Sequence, residues 1–259
     1  MSLEEIKRIS FSELKNWKEC SFRHKLIYVD KLPYFSGNEF TAFGTAIHTA
    51  CESIKEDTDL YDIFRTSFGK ELSTLQQEGH DINKELALDM ADQARPICKE
   101  LFPAMKSYFG DFSVVAIEEL LLEDIKEFDA SGRKFKGYID IIIKSDNKYH
   151  IIDWKSCSWG WSSRKKAEPM VTSQLAYYKN YYSKKHNLDP KNIETYFVLL
   201  KRTAKSNNVE ICRVTSGPKK IENSLKILEN AVINIDNKNY IKNRLNCKYC
   251  KFHETEKCV

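Results

Sequence analysis

Gly137-Tyr138-Ile139-Asp140-Ile141-Ile142-Ile143 and, shortly after it, Tyr149-His150-Ile151-Ile152-Asp153-Trp154-Lys155 decide how this chain is read. Both stretches have the β-branched and aromatic content of strands, and Ser145-Asp146-Asn147-Lys148 between them is a polar turn of hairpin length. Apolar residues fall on both faces of each stretch, which predicts central strands covered on both sides. Each nevertheless carries an aspartate in its interior. Burying an unpaired charge costs several kcal/mol, so such residues are paired or bound to a cation. Period-two geometry sets Asp153 and Lys155 on one face. If the strands pair as a hairpin, Asp140 lies beside Asp153, giving two hard oxygen ligands for Mg²⁺ or Mn²⁺ with an ammonium group close by. The other physical reading is a buried Asp140–Lys155 salt bridge with Asp153 at a strand end, and an Asp-x-Lys tripeptide alone does not separate the two.

Outward from this hairpin, the residues before it read as helices. Ser10-Phe11-Ser12-Glu13 has capping-box spacing and predicts a helix running to about Tyr28. After a loop at Pro33 to Asn38, Phe43, Ile47, Cys51 and Ile54 recur at helical spacing from about Thr41. Two further helical stretches, about 60–77 and 83–108, predict a helical insertion at about 55–110. A strand is expected at about 113–123. Beyond the hairpin come a loop from Cys157 to Glu168, a helix at about 170–185, strands at about 195–200 and 209–214, and a helix at about 219–235. The expected class is α/β: one domain over 1–259 with a mixed sheet flanked by helices, an N-terminal helical region and a cysteine-rich segment at about 241–259.

Composition sets limits without naming a function. With 42% hydrophobic and 30% charged residues the chain can bury a core and does not resemble a disordered one. A net charge of +4 says little about partners, so any nucleic-acid reading has to come from the site. No segment approaches the roughly 20 apolar residues of a membrane span, and the charged start Met1-Ser2-Leu3-Glu4-Glu5 lacks a signal-peptide core. The expectation is an intracellular, cytoplasmic protein with no membrane partner, whose eight cysteines do not form a disulfide framework.

The order of motifs resembles the PD-(D/E)XK nuclease superfamily, in particular its RecB-like and CRISPR-associated exonuclease branch. Gly137–Asp140 followed by Asp153-Trp154-Lys155 matches its paired acidic and lysine strands. Upstream, Gly44-Thr45-Ala46-Ile47-His48 resembles a G-x-x-x-H motif whose histidine is a metal ligand in that family. Glu118 matches the acidic residue on the strand before the first aspartate, with Glu119 as the alternative register. Gln174-Leu175-Ala176-Tyr177-Tyr178 resembles a Q-x-x-x-Y motif whose two polar residues share one helical face. The resemblance implies a restriction-endonuclease-like fold and metal-assisted phosphodiester hydrolysis. Asp140, Asp153, His48 and the carbonyl of Trp154 would hold Mg²⁺ or Mn²⁺, Lys155 would act on the attacking water, and Gln174 and Tyr178 would orient it or the phosphate.

Four cysteines form a further set: Cys20, then Cys247-Lys248-Tyr249-Cys250 and Cys258. C-x-x-C brings two thiolates within reach of one metal, and joining both ends of a chain would restrain fraying termini. The resemblance implies a [4Fe–4S] cluster, because one cysteine before and three after the nuclease core is the layout of the cluster-bearing members. A local zinc site of Cys247, Cys250, His253 and Cys258 is the alternative. Cys51, Cys98, Cys157 and Cys212 read as small buried hydrophobes.

Trp159, Trp161, Arg164, Lys165 and Lys166 follow the Asp-x-Lys strand and offer indoles to unpaired bases and cations to phosphates. Lys201, Arg202 and Lys205 are a second basic candidate. Taken with the resemblance, these features lead to the expectation of a DNA exonuclease, acting from single-stranded ends in recombination, repair or phage- or CRISPR-type processing, with a helicase or recombination partner on a separate chain. A structure-specific endonuclease with the same site and a non-catalytic DNA-binding subunit are the rival readings.

Overall fold

The structure, a computed structural model, describes residues 7–258. Its contacts group the chain into two interleaved compact units, one of Met1–Ser36, Leu120–Gly137 and Gly217–Val259, the other of Gly37–Glu119 and Tyr138–Ser216. No helix among the described residues is long and apolar enough to cross a membrane.

The second unit holds the predicted hairpin. Strand β3 (Lys134–Ser145) enters it after Gly137 and pairs antiparallel with β4 (Lys148–Cys157), from Ser145 opposite Lys148 to Ile141 opposite Ile152. Asp146 and Asn147 form the turn with φ of 48° and 61°, the left-handed pair that matches strand twist and suits Asp and Asn side chains. β4 then pairs in parallel with β5 (Ile193–Lys201) along its length, and β5 pairs antiparallel with β6 (Val209–Val214). The result is a mixed sheet in which β4 is central, and Ile141, Ile142, Ile143, Ile151 and Ile152 are fully buried, as their two-sided apolarity predicts. β2 (Ser113–Asp124) pairs with β3.

Helices α3 (Glu39–Glu52), α4 (Leu60–Gln77) and α5 (Lys84–Phe109) share a core with this sheet. The start of α3 lies at Glu39 because Asn38 caps it: its Oδ1 accepts from the amides of Phe40 and Thr41, and Thr41 Oγ1 accepts from the Asn38 amide at 2.8 Å. α5 runs through Pro96 and Pro103, each of which removes a helical donor and costs roughly 3 kcal/mol in isolation. Its buried stripe of Met90, Ala94, Ile97, Leu101 and Met105 offsets that cost. The segment after β4, expected as a loop, contains the short helix α6 (Ser163–Ala167), capped by Ser162, before α7 (Pro169–Lys185).

In the first unit the expected continuous helix is broken. α1 (Phe11–Glu19) ends at Cys20, whose φ and ψ of −163° and 108° are extended, and α2 (Ser21–His24) continues into a π-helical turn at Lys25–Val29. Ser10 Oγ accepts the Glu13 amide at 3.2 Å, but Glu13 does not complete a capping box because its carboxylate turns to His24 Nε2 at 2.9 Å. The break at Cys20 frees backbone groups that the C-terminal segment satisfies. Phe22 donates to the Ile241 carbonyl, and the side-chain amides of Asn243 and Asn246 donate to the Glu19 carbonyl at 2.9 and 2.7 Å. β1 (Arg8–Ser10) pairs in parallel with Lys134–Lys136, and α8 (Pro218–Asp236) packs on α1.

Phe64 of α4 is fully buried, with its ring 5.1 Å from Phe43 and 5.3 Å from Phe68. Phe64→Ala should cost about 3–5 kcal/mol. Urea unfolding followed by circular dichroism would show this as a lower midpoint with an unchanged slope.

Candidate active site

The polar centre of the second unit is built where the β3–β4 ladder ends. Just beyond the Ile141–Ile152 pair, the Trp154 amide donates 2.7 Å to Asp140 Oδ2, so the aspartate carboxylate takes the place of a backbone acceptor. Lys155 Nζ stands 2.5 Å from Asp153 Oδ2, as alternation along β4 requires. The lysine therefore pairs with Asp153, and the alternative Asp140–Lys155 salt bridge is not the one formed. Asp153 is 1% exposed, and its Oδ2, although beside the ammonium, has no aligned hydrogen-bond donor. Its Oδ1 accepts from Gln174 Nε2 at 2.7 Å, and the same nitrogen lies 3.1 Å from the Tyr178 hydroxyl. Gln174 thus holds the carboxylate, and Tyr178, one turn on along α7, meets Gln174.

His48 arrives from α3. Its Nδ1 is 3.6 Å from Asp140 Oδ2, and the ring hydrogen-bonds the Trp154 backbone. Burial pushes the imidazole pKa down, so at neutral pH the ring is uncharged, which is the ligand form. Burial, reinforced by the charge of Asp153, pushes the Asp140 carboxyl well above the ordinary range. Two neighbouring carboxylates and a neutral imidazole are donors that suit a divalent cation. Among the described residues no three His, Cys, Asp or Glu side chains are yet close enough to hold a metal as they stand. The donors are gathered but not closed around an ion, and their chemistry fits one.

Glu118 sits in β2 with φ of 49°, a left-handed kink in a strand, and its field reaches Asp140. Glu119 turns away to Lys185 and His186, at 2.8 and 2.9 Å, so of the two registers Glu118 is the one beside the site. Sequence reasoning missed Glu52. It lies one helical turn after His48 and is hydrogen-bonded to Glu118, and burial raises the pKa of both carboxyls. The signal available was the His48-x-x-x-Glu52 spacing, which puts both side chains on one helical face.

Past Lys155, Phe197 lies 5.7 Å from the ammonium and 5.2 Å from the Trp161 ring, and Lys165 Nζ stands 4.6 Å from the Trp161 centroid. Trp159 is 78% exposed. Of the second basic candidate, Lys201 is buried and pairs with Glu210 at 3.3 Å and Arg202 lies over the rings of Phe40 and Phe43, while Lys205 is exposed. Lys166 also pairs with Glu210.

In the first unit Cys20, Cys247, Cys250 and Cys258 line one small cavity of about 20 Å³, and His253 lines it as well. Cys20 Sγ accepts the amides of Arg23 and Asn243, each at 3.4 Å, and donates to the Ile241 carbonyl at 3.7 Å. The four cysteines share this cavity, but among the described residues no three of them stand close enough to hold a metal as they are. Of the other cysteines, Cys51 and Cys98 are buried as expected, whereas Cys157, at the end of β4, and Cys212, within β6, are only half-buried.

A raised carboxyl pKa means that the ionised Asp140 opposes folding. Its contribution is favourable below the unfolded value near 3.8 and is lost as pH rises through the folded one. Metal-free Asp140→Asn should therefore melt higher than wild type at pH 7. It should also lose the rise in melting temperature that Mn²⁺ gives the wild type, read by calorimetry with and without the ion.

The model of the family described as PD-(D/E)XK nuclease superfamily matches residues 8–255. No curated protein matches the sequence. Among solved structures, a candidate exonuclease from Eubacterium rectale is similar, with a TM-score of 0.62 and 11% identity over 97% of this chain and 91% of that one, which is a likeness of fold. The structure of SSO0001 superposes at a TM-score of 0.38 with 18% identity over 82% of this chain and 92% of that one, too distant to argue from. With a family match that spans nearly the whole chain, the chain belongs to the PD-(D/E)XK nuclease superfamily.

Proposed function

We propose that this protein is a metal-dependent DNA exonuclease that works from single-stranded ends. The observation that carries the reading is the meeting of Asp140, Asp153, Lys155 and His48 at the open end of the β3–β4 ladder. Asp140, Asp153, His48 and the Trp154 carbonyl would hold Mg²⁺ or Mn²⁺. Once bound, that ion supplies Lewis acidity toward the phosphoryl oxygen and acidifies a coordinated water. Lys155 places a positive charge where negative charge develops on the phosphoryl group. Gln174 holds Asp153 in a single orientation, and Tyr178 braces Gln174, its hydroxyl kept protonated by burial.

The preference for single strands is supported by the aromatic line from Phe197 to Trp161 beside the lysine and by the exposed indole of Trp159. Stacking on indoles requires unpaired bases. The description of the Eubacterium rectale protein as a candidate exonuclease supports the exonuclease part of the reading. End-labelled single- and double-stranded DNA incubated with Mn²⁺ tests the reading. Wild type should release mononucleotides or short products from single strands, EDTA should stop it, and Asp153→Ala and Lys155→Ala should each cost at least about a hundredfold in rate. Trp159→Ala together with Trp161→Ala should raise KM for single strands with little change in kcat. Internal cuts in circular single strands would instead support a structure-specific endonuclease, and DNA binding without cleavage would support a non-catalytic subunit.

For the first unit we infer that Cys20, Cys247, Cys250 and Cys258 hold a [4Fe–4S] cluster. All four line the same cavity, and Cys20, remote in sequence, presents its sulfur to two amides there. The zinc alternative uses His253 in place of Cys20. Cys20→Ser separates them, since the serine hydroxyl can take over the sulfur's cap of the Arg23 amide while removing the thiol. Anaerobically purified wild type should be brown and contain iron, and Cys20→Ser should lose the colour and melt lower. Colourless zinc protein with a normally melting Cys20→Ser would refute the cluster.

A further inference from the structure

Arg202 follows β5 directly and is half-buried, yet among the described residues no carboxylate pairs with it. The neighbouring cations differ: Lys166 and Lys201 share Glu210. The Arg202 guanidinium carbon lies 5.1 Å from the Phe40 ring centroid and 5.4 Å from that of Phe43. Nη1 donates to Gln93 Oε1 at 3.0 Å and Nη2 to Ser158 Oγ at 3.5 Å. Both acceptors are neutral, and a guanidinium carries five N–H donors, so the charge is held in place without being answered. Burial pushes its pKa down, but an arginine stays charged in proteins. A desolvated cation without a counter-ion is a cost, and an apolar side chain would pack on Phe40 and Phe43 without it. Trp159 stands next to this cation. The Arg202 amide donates to the Cys157 carbonyl and the Thr203 amide to the Ser158 carbonyl, each at 2.9 Å, which fastens the start of the exposed Trp159 segment alongside Arg202. The β4–β5 register sets Lys155 opposite Leu199, so Arg202 lies roughly 10 Å further along the strand direction than the lysine.

We propose that Arg202 is a phosphate-binding residue: it holds a phosphate of the unpaired strand away from the point of cleavage, while Trp159 stacks on a base beside it. This inference rests on the nuclease reading above and assigns its substrate a second point of attachment. The missing counter-ion is then the nucleic acid itself. A guanidinium fork matches phosphate oxygens, and one already fixed by Gln93, Ser158 and two aromatic rings loses little rotamer freedom when the strand arrives. The distance from Lys155 makes this a different phosphate from the one that is cut.

The test is fluorescence anisotropy of labelled oligothymidylate with the full chain, in EDTA so that the strand stays uncut, over a series of salt concentrations. Arg202→Gln should make the plot of log affinity against log salt less steep by about 0.7, the share of one single-strand phosphate contact. Arg202→Lys, which keeps the charge, should retain the wild-type slope. A single methylphosphonate walked along the strand locates the contact: the position that weakens wild-type binding should have no further effect in Arg202→Gln. Gln93→Glu supplies the missing carboxylate where Nη1 already donates, so it should melt higher than wild type while binding the strand more weakly and losing the same methylphosphonate sensitivity. A merely structural arginine would lower the melting temperature of Arg202→Gln and leave slope and methylphosphonate pattern unmoved in every variant, and that result overturns the proposal. If Arg202→Gln does not fold, Gln93→Glu decides: loss of the position-specific sensitivity supports the assignment and its retention overturns it. Wild type that binds no oligonucleotide defeats the nuclease reading and this inference with it. Wild type that binds and cuts, with the slope and pattern unchanged in the variants, defeats this inference alone.

Discussion

The hydrogen bond from the Trp154 amide to Asp140 Oδ2 is the constraint on which the site depends. It closes the β3–β4 pairing with a carboxylate where a backbone carbonyl would otherwise serve. One aspartate is thereby held against the strand that carries the other. The cost is visible in the same place. Burial and the neighbouring Asp153 raise the Asp140 carboxyl pKa, so the two acids are in electrostatic conflict in the absence of a cation. Local conflict of this kind is what a site gives up in stability to be ready for a ligand.

The surrounding helices divide the remaining work. α3 delivers His48 and, one turn later, Glu52; α7 delivers Gln174 and Tyr178. Each pair has helical i, i+4 spacing, so one helix orientation places two polar groups together. Gln174 links the pairs to the sheet through Asp153, and Glu118 meets Glu52 because β2 turns left-handed at that residue. Central β4, paired on both edges and buried on both faces, gives these side chains a rigid floor.

The cysteine cavity depends on a different interruption. Cys20 breaks α1 from α2 by adopting extended backbone angles, and the carbonyl and amide groups released there are taken up by Ile241, Asn243 and Asn246. Ordinary hydrogen bonds already tie the two ends of the first unit together before any sulfur chemistry is invoked. The four cysteines line a cavity at a joint that the backbone has made.

The α/β class, the central hairpin with its Asp146-Asn147 turn, and the order of the motifs were legible from the sequence. These features depend on periodicity and turn chemistry, which are properties of neighbouring residues. The i, i+4 face of Gln174 and Tyr178 was legible for the same reason. The helix break at Cys20 was not, because its warrant lies in partners more than two hundred residues away in the chain. Neither was the pairing of Lys155 with Asp153 over Asp140, since the tripeptide is compatible with both until the strand register sets which oxygen is nearest. Glu52, the choice of Glu118 over Glu119, and the burial of Lys201 against Glu210 also required the tertiary structure. In each case a polar side chain could point to solvent or to a partner, and only the packing of elements distant in sequence determines which desolvated charge finds a counterpart.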